Sequence, residues 1–542
     1  MPKILINEKV YSELGTANRY SNYAVLVAGF MGDGDKKKVE PDSNGVYEFV
    51  SYQDFIDTIG LVAPEYKYEV DGYELTVYHY GNQMAYELLK LGYPIIYLPI
   101  DPNVGVSVLE DANTWEIFKD KVSYDFRFVT HGLLRSYKAG DSAELENRIA
   151  ELTNAIEMAG RLLDIEIKQD TNISLEQVYA VESAYQELLD GTEDLAGFIN
   201  TKTGVAYTTL EAALFGSDSG DDAGSIGIIA ELAEKQTLFN KRVIATEKQD
   251  TIVKANENIA NLAKYAVNDA GIVSGRGDCI ALIELDENSY LNNTVKPEVA
   301  IVAGINKMSG INEENGKYCA MTVPSVVYSN GLRMPGAFHY LACFINAVQA
   351  GFAEWYAAAG YTRGVSSYRI ANTTVTLGEI AINTLEPRST TGDETSPKFA
   401  CNVIANFRGS YYLWGNRTAL PLGDAKGTAG DLSAGHFLNI RQLCTTIKKQ
   451  LHVACRRFTF DPNSDTLWFN FVNAIRPTLD IMKADQGIRD YKILKVNEAN
   501  PKKATLKAKI RVIPIEAVED FDIEVSLEDS FGETAVNAAV SI

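Results

Sequence analysis

Residues Phe437 to Phe460 read FLNIRQLCTTIKKQLHVACRRFTF, and the apolar positions Phe437, Ile440, Leu443, Ile447, Leu451, Ala454 and Phe458 recur at steps of three and four. That period predicts a helix with one buried face and an apolar arc of roughly 120°. Arg441, Lys448, Lys449, His452 and Arg456 fall together on the flank beside the arc, and no acidic residue occurs from Leu432 through Phe460. The flank is either a solvated helix face or a surface that meets an anionic partner. Asp461-Pro462-Asn463 then predicts a turn, because Pro462 fixes its own φ and pushes Asp461 out of the helical region. A second apolar segment follows, with Leu467, Trp468, Phe471, Val472 and Ile475; Pro477 kinks or interrupts it and Gly487 marks its far end.

The pattern elsewhere predicts helices alternating with buried strands, an α/β layer arrangement. In Lys3 to Val10, Ile4 and Ile6 point to one side of a short strand and Leu5 and Asn7 to the other, with a polar tether behind them to Asn22. Buried strands are expected at Tyr23–Phe30, Tyr93–Ile100, Cys279–Leu285 and Val299–Ala303, and helices at Ser51–Ile59, Asn82–Leu91 and Leu341–Ala359. Asp141–Ile167, Leu175–Leu189 and Thr251–Ala266 are also expected to be helical. Near the end, Leu506, Ala508, Ile510 and Val512 alternate with Lys507, Lys509 and Arg511, and Phe521, Ile523, Val525 and Leu527 alternate with Asp522, Glu524 and Ser526. Basic and acidic outer faces of this kind suit cross-strand pairing.

Composition narrows the function. The 542 residues suffice for several domains, and 72 acids against 50 bases give a formal charge of −22, which argues against nucleic-acid binding. Identical subunits with that charge repel unless their contacts are specific. Six scattered cysteines without a CxxC pair predict buried thiols in a reducing compartment rather than a zinc site. No apolar run approaches the roughly 20 residues that span a bilayer, so membrane insertion is not expected. The start lacks a signal-peptide core, and synthesis and folding in cytoplasm are expected.

Several motifs invite chemistry and fall short of it. The loop Gly29 to Gly34 after a strand fits neither dinucleotide nor P-loop spacing, and the aspartates of Gly216–Gly224 miss the EF-hand spacing. Arg276-Gly277-Asp278 reads as the way into a strand. None of the five histidines lies in a metal-binding or nucleophile motif. No catalytic residue, cofactor or metal site is predicted.

RFTFDPNSDTLW at Arg457 to Trp468 and IMKADQGIRDYKI at Ile481 to Ile493 resemble the C-terminal domain of contractile tail sheath proteins. NTLEPR (Asn383–Arg388), YLWGNRT (Tyr412–Thr418) and AEWYAAAGYTRG (Ala353–Gly364) follow the family's order along the chain. The resemblance spans Met321 to Leu527, is weaker over Ser21 to Ile100, and is poor between Val104 and Ile272. It implies an α/β and α+β multidomain fold: an arm at residues 1–22 exchanged with a neighbouring subunit, an α/β core from 23–103 with 273–363, a surface insertion at 104–272, and a C-terminal α+β domain at 364–542. It further implies a structural protein, not an enzyme, that forms six-fold rings stacked around a tail tube. Contraction drives the tube through a host envelope. Its partners are other copies, the tube protein, and baseplate and terminator proteins, and its place is the virion tail. A sheath of a non-phage injection system, or an α/β hydrolase, are the alternatives. On this reading Arg441, Lys448, Lys449 and Arg456 are candidates to face an acidic tube. Lys3, Ile4, Leu5 and Ile6, with Leu506, Ile510, Phe521 and Val525, are candidates for strands lent and received between subunits.

Overall fold

The chain is described from a computed structural model that covers residues 24–517, except 36–37, 71–72, 103, 136–140, 168–172, 191–195, 248–250, 268–272, 292–294, 386–396, 423–432 and 497–505. Lys3 to Val10, Phe521 and Val525 lie outside the described residues. The chain forms two units, Met1–Phe460 and Asp461–Ile542.

All seven residues of β1 (Ala24–Phe30) are buried, as expected for a parallel strand covered on both faces. The other strands of its sheet are β2 (Tyr47–Phe49), β3 (Ile95–Ile100), β4 (Phe126–Thr130), β5 (Ile280–Ile283), β6 (Cys319–Val323), β7 (Asn402–Phe407) and β8 (Ser410–Trp414). Their spatial order is β8-β7-β6-β5-β4-β1-β3-β2. The inner strands from β7 to β3 are parallel, and β8 and β2 add antiparallel edges. Alternation splits each strand between two cores. Leu26, Ala28 and Phe30 join the layer formed with helices Thr251–Ala263 and Pro297–Lys307, whereas Val25 and Val27 join the layer formed with helices Gly81–Lys90 and Gly336–Gln349.

The chain leaves β1 for β3 on one side and then crosses to β4 on the other. Open α/β sheets usually place ligands at the carboxyl end of such a switch. Here the crevice is filled by backbone. A Cβ on Gly81 would sit 1.8 Å from the Ala28 carbonyl oxygen, and one on Gly132 would sit 2.6 Å from the Gly81 Cα. Buried His79 and His131 complete the packing.

Four expectations need correction. Val299–Ala303 is not a strand but part of the helix Pro297–Lys307, begun by Pro297 at its first position; a short apolar run does not by itself separate a strand from a buried helix. The helix expected at Leu341–Ala359 runs instead from Gly336 to Gln349, where Gly351 at φ +94° and a Phe352 N–H to Ala347 carbonyl bond (3.1 Å) close it. The insertion is narrower than 104–272. Trp115, Phe118, strand β4 and the helix Thr251–Ala263 all belong to the main sheet's core. Only the helical region between Asp141 and Glu247 has a core of its own, with Leu152, Tyr185, Phe198, Leu210 and Ile228. Finally, the last unit starts at Asp461 rather than 364, because β7 and β8 are strands of the main sheet.

In the second unit, the helix Asp465–Ala484 buries Leu467, Phe471, Ile475, Leu479 and Met482 and contains Pro477 without ending there. It is followed by an antiparallel hairpin, β9 (Ile488–Lys495) and β10 (Ala508–Pro514), in which Ile493 faces Ile510 and Tyr491 faces Val512. Tyr491 Oη donates to Asp480 (2.5 Å) and Lys495 reaches Asp465 (2.7 Å), so this hairpin face lies on the helix. Leu506 is half-buried just before β10.

Gly81→Ala is expected to destabilise the protein by more than about 2 kcal/mol in urea titrations, because rigid backbone must move. Gly378→Ala, with nothing within 4 Å of the added Cβ, is expected to change stability by less than about 0.5 kcal/mol.

Candidate functional site: the basic helix and the charges beneath it

The basic stretch forms the helix Leu438–Arg457, here α1. Its first turn is held by the YLWGNRT segment. The Leu438 N–H donates to the Asn416 carbonyl (2.9 Å), the Asn439 N–H to Asn416 Oδ1 (3.0 Å), and Arg417 stacks 4.6 Å from the Phe437 ring centroid. These contacts satisfy amide groups that the helix cannot satisfy itself. Phe437, Ile440, Leu443 and Ile447 are buried, while Leu451, Ala454 and Phe458 are only partly covered.

The face of α1 against the sheet is largely polar. Arg127, buried in the middle strand β4, donates from Nε to Gln442 Oε1 (2.9 Å) and pairs through Nη1 with Glu354 Oε2 (2.5 Å). Thr446 Oγ1 donates to the same Glu354 oxygen (2.6 Å), and Gln442 Nε2 donates to Tyr340 Oη (3.0 Å). Burial pushes the Glu354 carboxyl above its ordinary pKa, with Arg127 and Thr446 pulling it back. The AEWYAAAGYTRG segment therefore supplies the counter-charge for Arg127.

Further along α1, Lys449 is 4% exposed and pairs with Asp125, with Asp278 at 4.0 Å. Burial lowers its pKa against the pull of these carboxylates. Lys449 is thus not a surface cation, which corrects its place among the partner-facing candidates. Helical spacing put it beside the flank, and acids far away in sequence drew it inward. Arg276 of the RGD tripeptide is buried, bonded to Asp278 (3.0 Å) and to the carbonyls of Phe118 (2.7 Å) and Tyr124 (2.8 Å). Burial raises the Asp278 pKa, but Arg276 and Lys449 outweigh it and hold the carboxylate below its ordinary range.

Arg441 and Lys448 share the Tyr318 ring, at 4.6 and 5.3 Å from its centroid. Lys448 Nζ donates to the Gly277 carbonyl (2.8 Å). Burial first, and the neighbouring Arg441 second, lower the Lys448 pKa to about 8. Only the last turn is open to solvent, where Val453, Cys455, Arg456 and Arg457 are exposed. Among the four named cations, then, Arg456 is exposed, Arg441 and Lys448 are half-buried, and Lys449 is inside.

Other charged groups escaped the sequence reading. Glu284 and Glu287 follow β5 and are buried. Glu284 accepts from the Ala337 N–H (3.0 Å), and burial raises its pKa to about 8. Glu287 takes Arg135 (2.5 Å) and also pairs with Arg333. An acid directly after an apolar strand, as in CIALIELDE, was the available signal. His339 lies 3.4 Å from the Cys343 sulfur and 2.9 Å from Tyr328 Oη, the spacing of a nucleophile and base. Burial raises the Cys343 thiol pKa and lowers that of His339 to about 3, so neither group is activated. Among the described residues, no cluster of three or more His, Cys, Asp or Glu is placed to hold a metal, and no helix is long and apolar enough to cross a membrane.

The fold is α/β with a small α+β C-terminal unit. No family model and no curated protein matches the chain. Solved structures do. A chain of the cryo-EM structure of the anti-feeding prophage (AFP) baseplate, 6-fold symmetrised, is similar with a TM-score of 0.47 and 10% identity, covering 94% of each chain. A chain of the extracellular contractile injection system PVC sheath complex in the contracted state has a TM-score of 0.42 and 11% identity, covering 98% of each.

Removing one partner of the buried pair, as in Glu354→Gln or Arg127→Met, is expected to cost roughly 3–5 kcal/mol in denaturant titrations. The double variant Arg127→Met with Glu354→Leu is expected to lose clearly less than the sum of the single losses.

The pH dependence follows from groups whose pKa differs from its ordinary value. His79, His131 and His339 are held neutral, at about 3, 4 and 3 against an ordinary 6.5. The unfolded chain binds their protons first, so stability falls as pH drops below 6.5. Glu284, at about 8 against 4.5, acts in the opposite sense, and its contribution is lost as pH rises from 4.5 to 8. Urea midpoints are expected to fall steeply on the acid side of 6.5. Glu284→Gln is expected to flatten the shallower decline toward pH 8.

Proposed function

We propose that this chain is a structural subunit of a contractile sheath, assembling in stacked rings around a tube and shortening to drive that tube through a target envelope. The observation that carries the proposal is the terminal hairpin. Among the described residues, β9 and β10 pair only with each other. A two-stranded sheet is marginal alone and is completed by further strands. The alternating segments that could supply them lie at both chain ends, around Ile4 and Ile6 and around Phe521 and Val525. A strand lent to the hairpin of the next copy would link subunits through backbone hydrogen bonds. Leu506 and Ile510 would sit in the receiving sheet.

The order of the sheath-like motifs supports the same reading, and their contacts give them a physical role. YLWGNRT and AEWYAAAGYTRG hold α1 on the sheet. The backbone that fills the switch-point crevice supports a structural rather than an enzymatic role. Contact with an acidic tube would fall to Arg456 and the neighbouring Arg457 in the exposed turn of α1, with Arg441 and Lys448 set back from it. Such exposed charge pairs are weak and screened by salt, which suits a contact that must be released.

Electron microscopy of the purified chain, alone and with tubes from the same source, tests the proposal. Rings or hollow cylinders are expected from the full chain, and a version lacking Met1 to Tyr20 is expected not to polymerise. Single particles from the full chain even on tubes would refute a sheath. Arg456→Glu with Arg457→Glu is expected to leave the fold intact and prevent tubes from being covered.

A further inference from the structure

The stripe of α1 through Arg441, Thr445 and Lys448 carries more hydrogen-bonding capacity than the subunit uses. The three residues stand at helical steps of four and three, within one narrow arc of the helix. Thr445 is fully buried, and its hydroxyl makes no hydrogen bond within the chain. Arg441 Nε is likewise buried and unpartnered. His452 Nε2, one turn beyond Lys448 on the same stripe, repeats the pattern. Buried polar groups are ordinarily satisfied, so three such atoms along one stripe are consistent with a bound ion or water.

The charge around them is unbalanced. Arg441 and Lys448 crowd the Tyr318 ring, and Lys448 also lies 5.4 Å from the Tyr265 ring centroid. Lys121, in the loop leading to β4, acts electrostatically on both Lys448 and His452. The neighbouring acids are outnumbered: Asp278 is shared among Arg276, Lys449 and, electrostatically, Lys448 and His452, and Asp125 pairs with Lys449. Two cations pressed together against aromatic rings favour an anion between them.

We propose that Arg441, Thr445 and Lys448 form a binding site for a small tetrahedral oxyanion of the phosphate class, set between α1 and the Tyr265–Gly277–Tyr318 surface. Arg441 Nε and Lys448 Nζ donate charge-assisted hydrogen bonds to it, and the Thr445 hydroxyl supplies a third. The donors are recessed, which favours a small anion over the flat acidic face of another protein. Occupancy would stabilise the helix on the sheet by adding free energy of binding to the folded state alone.

The test is equilibrium dialysis of the full chain with radiolabelled inorganic phosphate, alongside thermal melts in sodium phosphate and in sodium chloride at matched ionic strength. About one phosphate bound per chain is expected, with a melting temperature that rises with phosphate and not with chloride. Arg441→Gln and Lys448→Gln are each expected to weaken binding by about tenfold or more, the loss of one charge-assisted bond. Arg457→Gln, on the exposed turn, is the folded control and is expected to bind as the natural chain does. Far-UV circular dichroism establishes that each variant is folded, and Thr445→Val gives a variant without charge change that is also expected to bind more weakly. Equal responses to phosphate and chloride would overturn the site. So would undiminished binding in folded Arg441→Gln and Lys448→Gln, or binding only of acidic peptide.

Discussion

A guanidinium in the centre of a parallel sheet is the constraint around which the first unit is built. Arg127 occupies a position in β4 where its neighbours are Phe126 and Phe128, and it is fully buried. A charge there is tolerable only if paired and hydrogen-bonded. Glu354 neutralises it, and Gln442 and Thr446 of α1 accept from its Nε and Nη2. One residue thereby ties the sheet, the segment after the helix Gly336–Gln349, and the basic helix to a single arrangement. An apolar interface would bind these elements as firmly but in more than one register. The polar one specifies the register, because a one-residue slip would strand a buried charge.

The same logic extends down the helix. Lys449 is drawn in by Asp125 and Asp278, and Asp278 is in turn oriented by Arg276, which also anchors the Phe118–Tyr124 loop through its carbonyls. The helix thus meets the sheet through Gln442, Thr446 and Lys449, while Ile440, Leu443 and Ile447 are buried on another face. What it leaves for solvent is short, its final turn. The second unit follows in sequence, with a helix whose apolar face, Leu467 to Met482, is covered and a hairpin that pairs with no further strand among the described residues. An unpaired strand edge can accept a further strand, and a short one limits unwanted pairing.

Local pattern decided much of this chain. The period of Phe437 to Phe460 defined a real helix with the expected buried positions in its first half, and YAVLVAGF and CIALIEL were legible as buried strands because fully covered parallel strands carry unbroken apolar runs. Alternation marked β10 correctly. Pattern failed where two structures share one signature. VAIVA is apolar enough for a strand and is a helix begun by Pro297, with Ala300, Ile301 and Val302 buried and Val299 and Ala303 exposed. The domain boundary at 364 failed because sheet membership is not local: β7 and β8 follow a long excursion and still return to the edge of the first sheet.

By itself, the sequence determined most of the helices and strands and which helix carries the excess of cations, since both depend largely on residues a few positions apart. Tertiary structure alone decided which of those cations are available. Lys449 is inside because Asp125, 324 residues earlier, meets it, and Arg127 needs Gln442 across 315 residues. Burial in the folded protein raises the Glu284 pKa to about 8, with the nearby Glu287 carboxylate adding to the rise. Burial and charge pairing are properties of what packs together, and a periodicity read along the chain does not contain them.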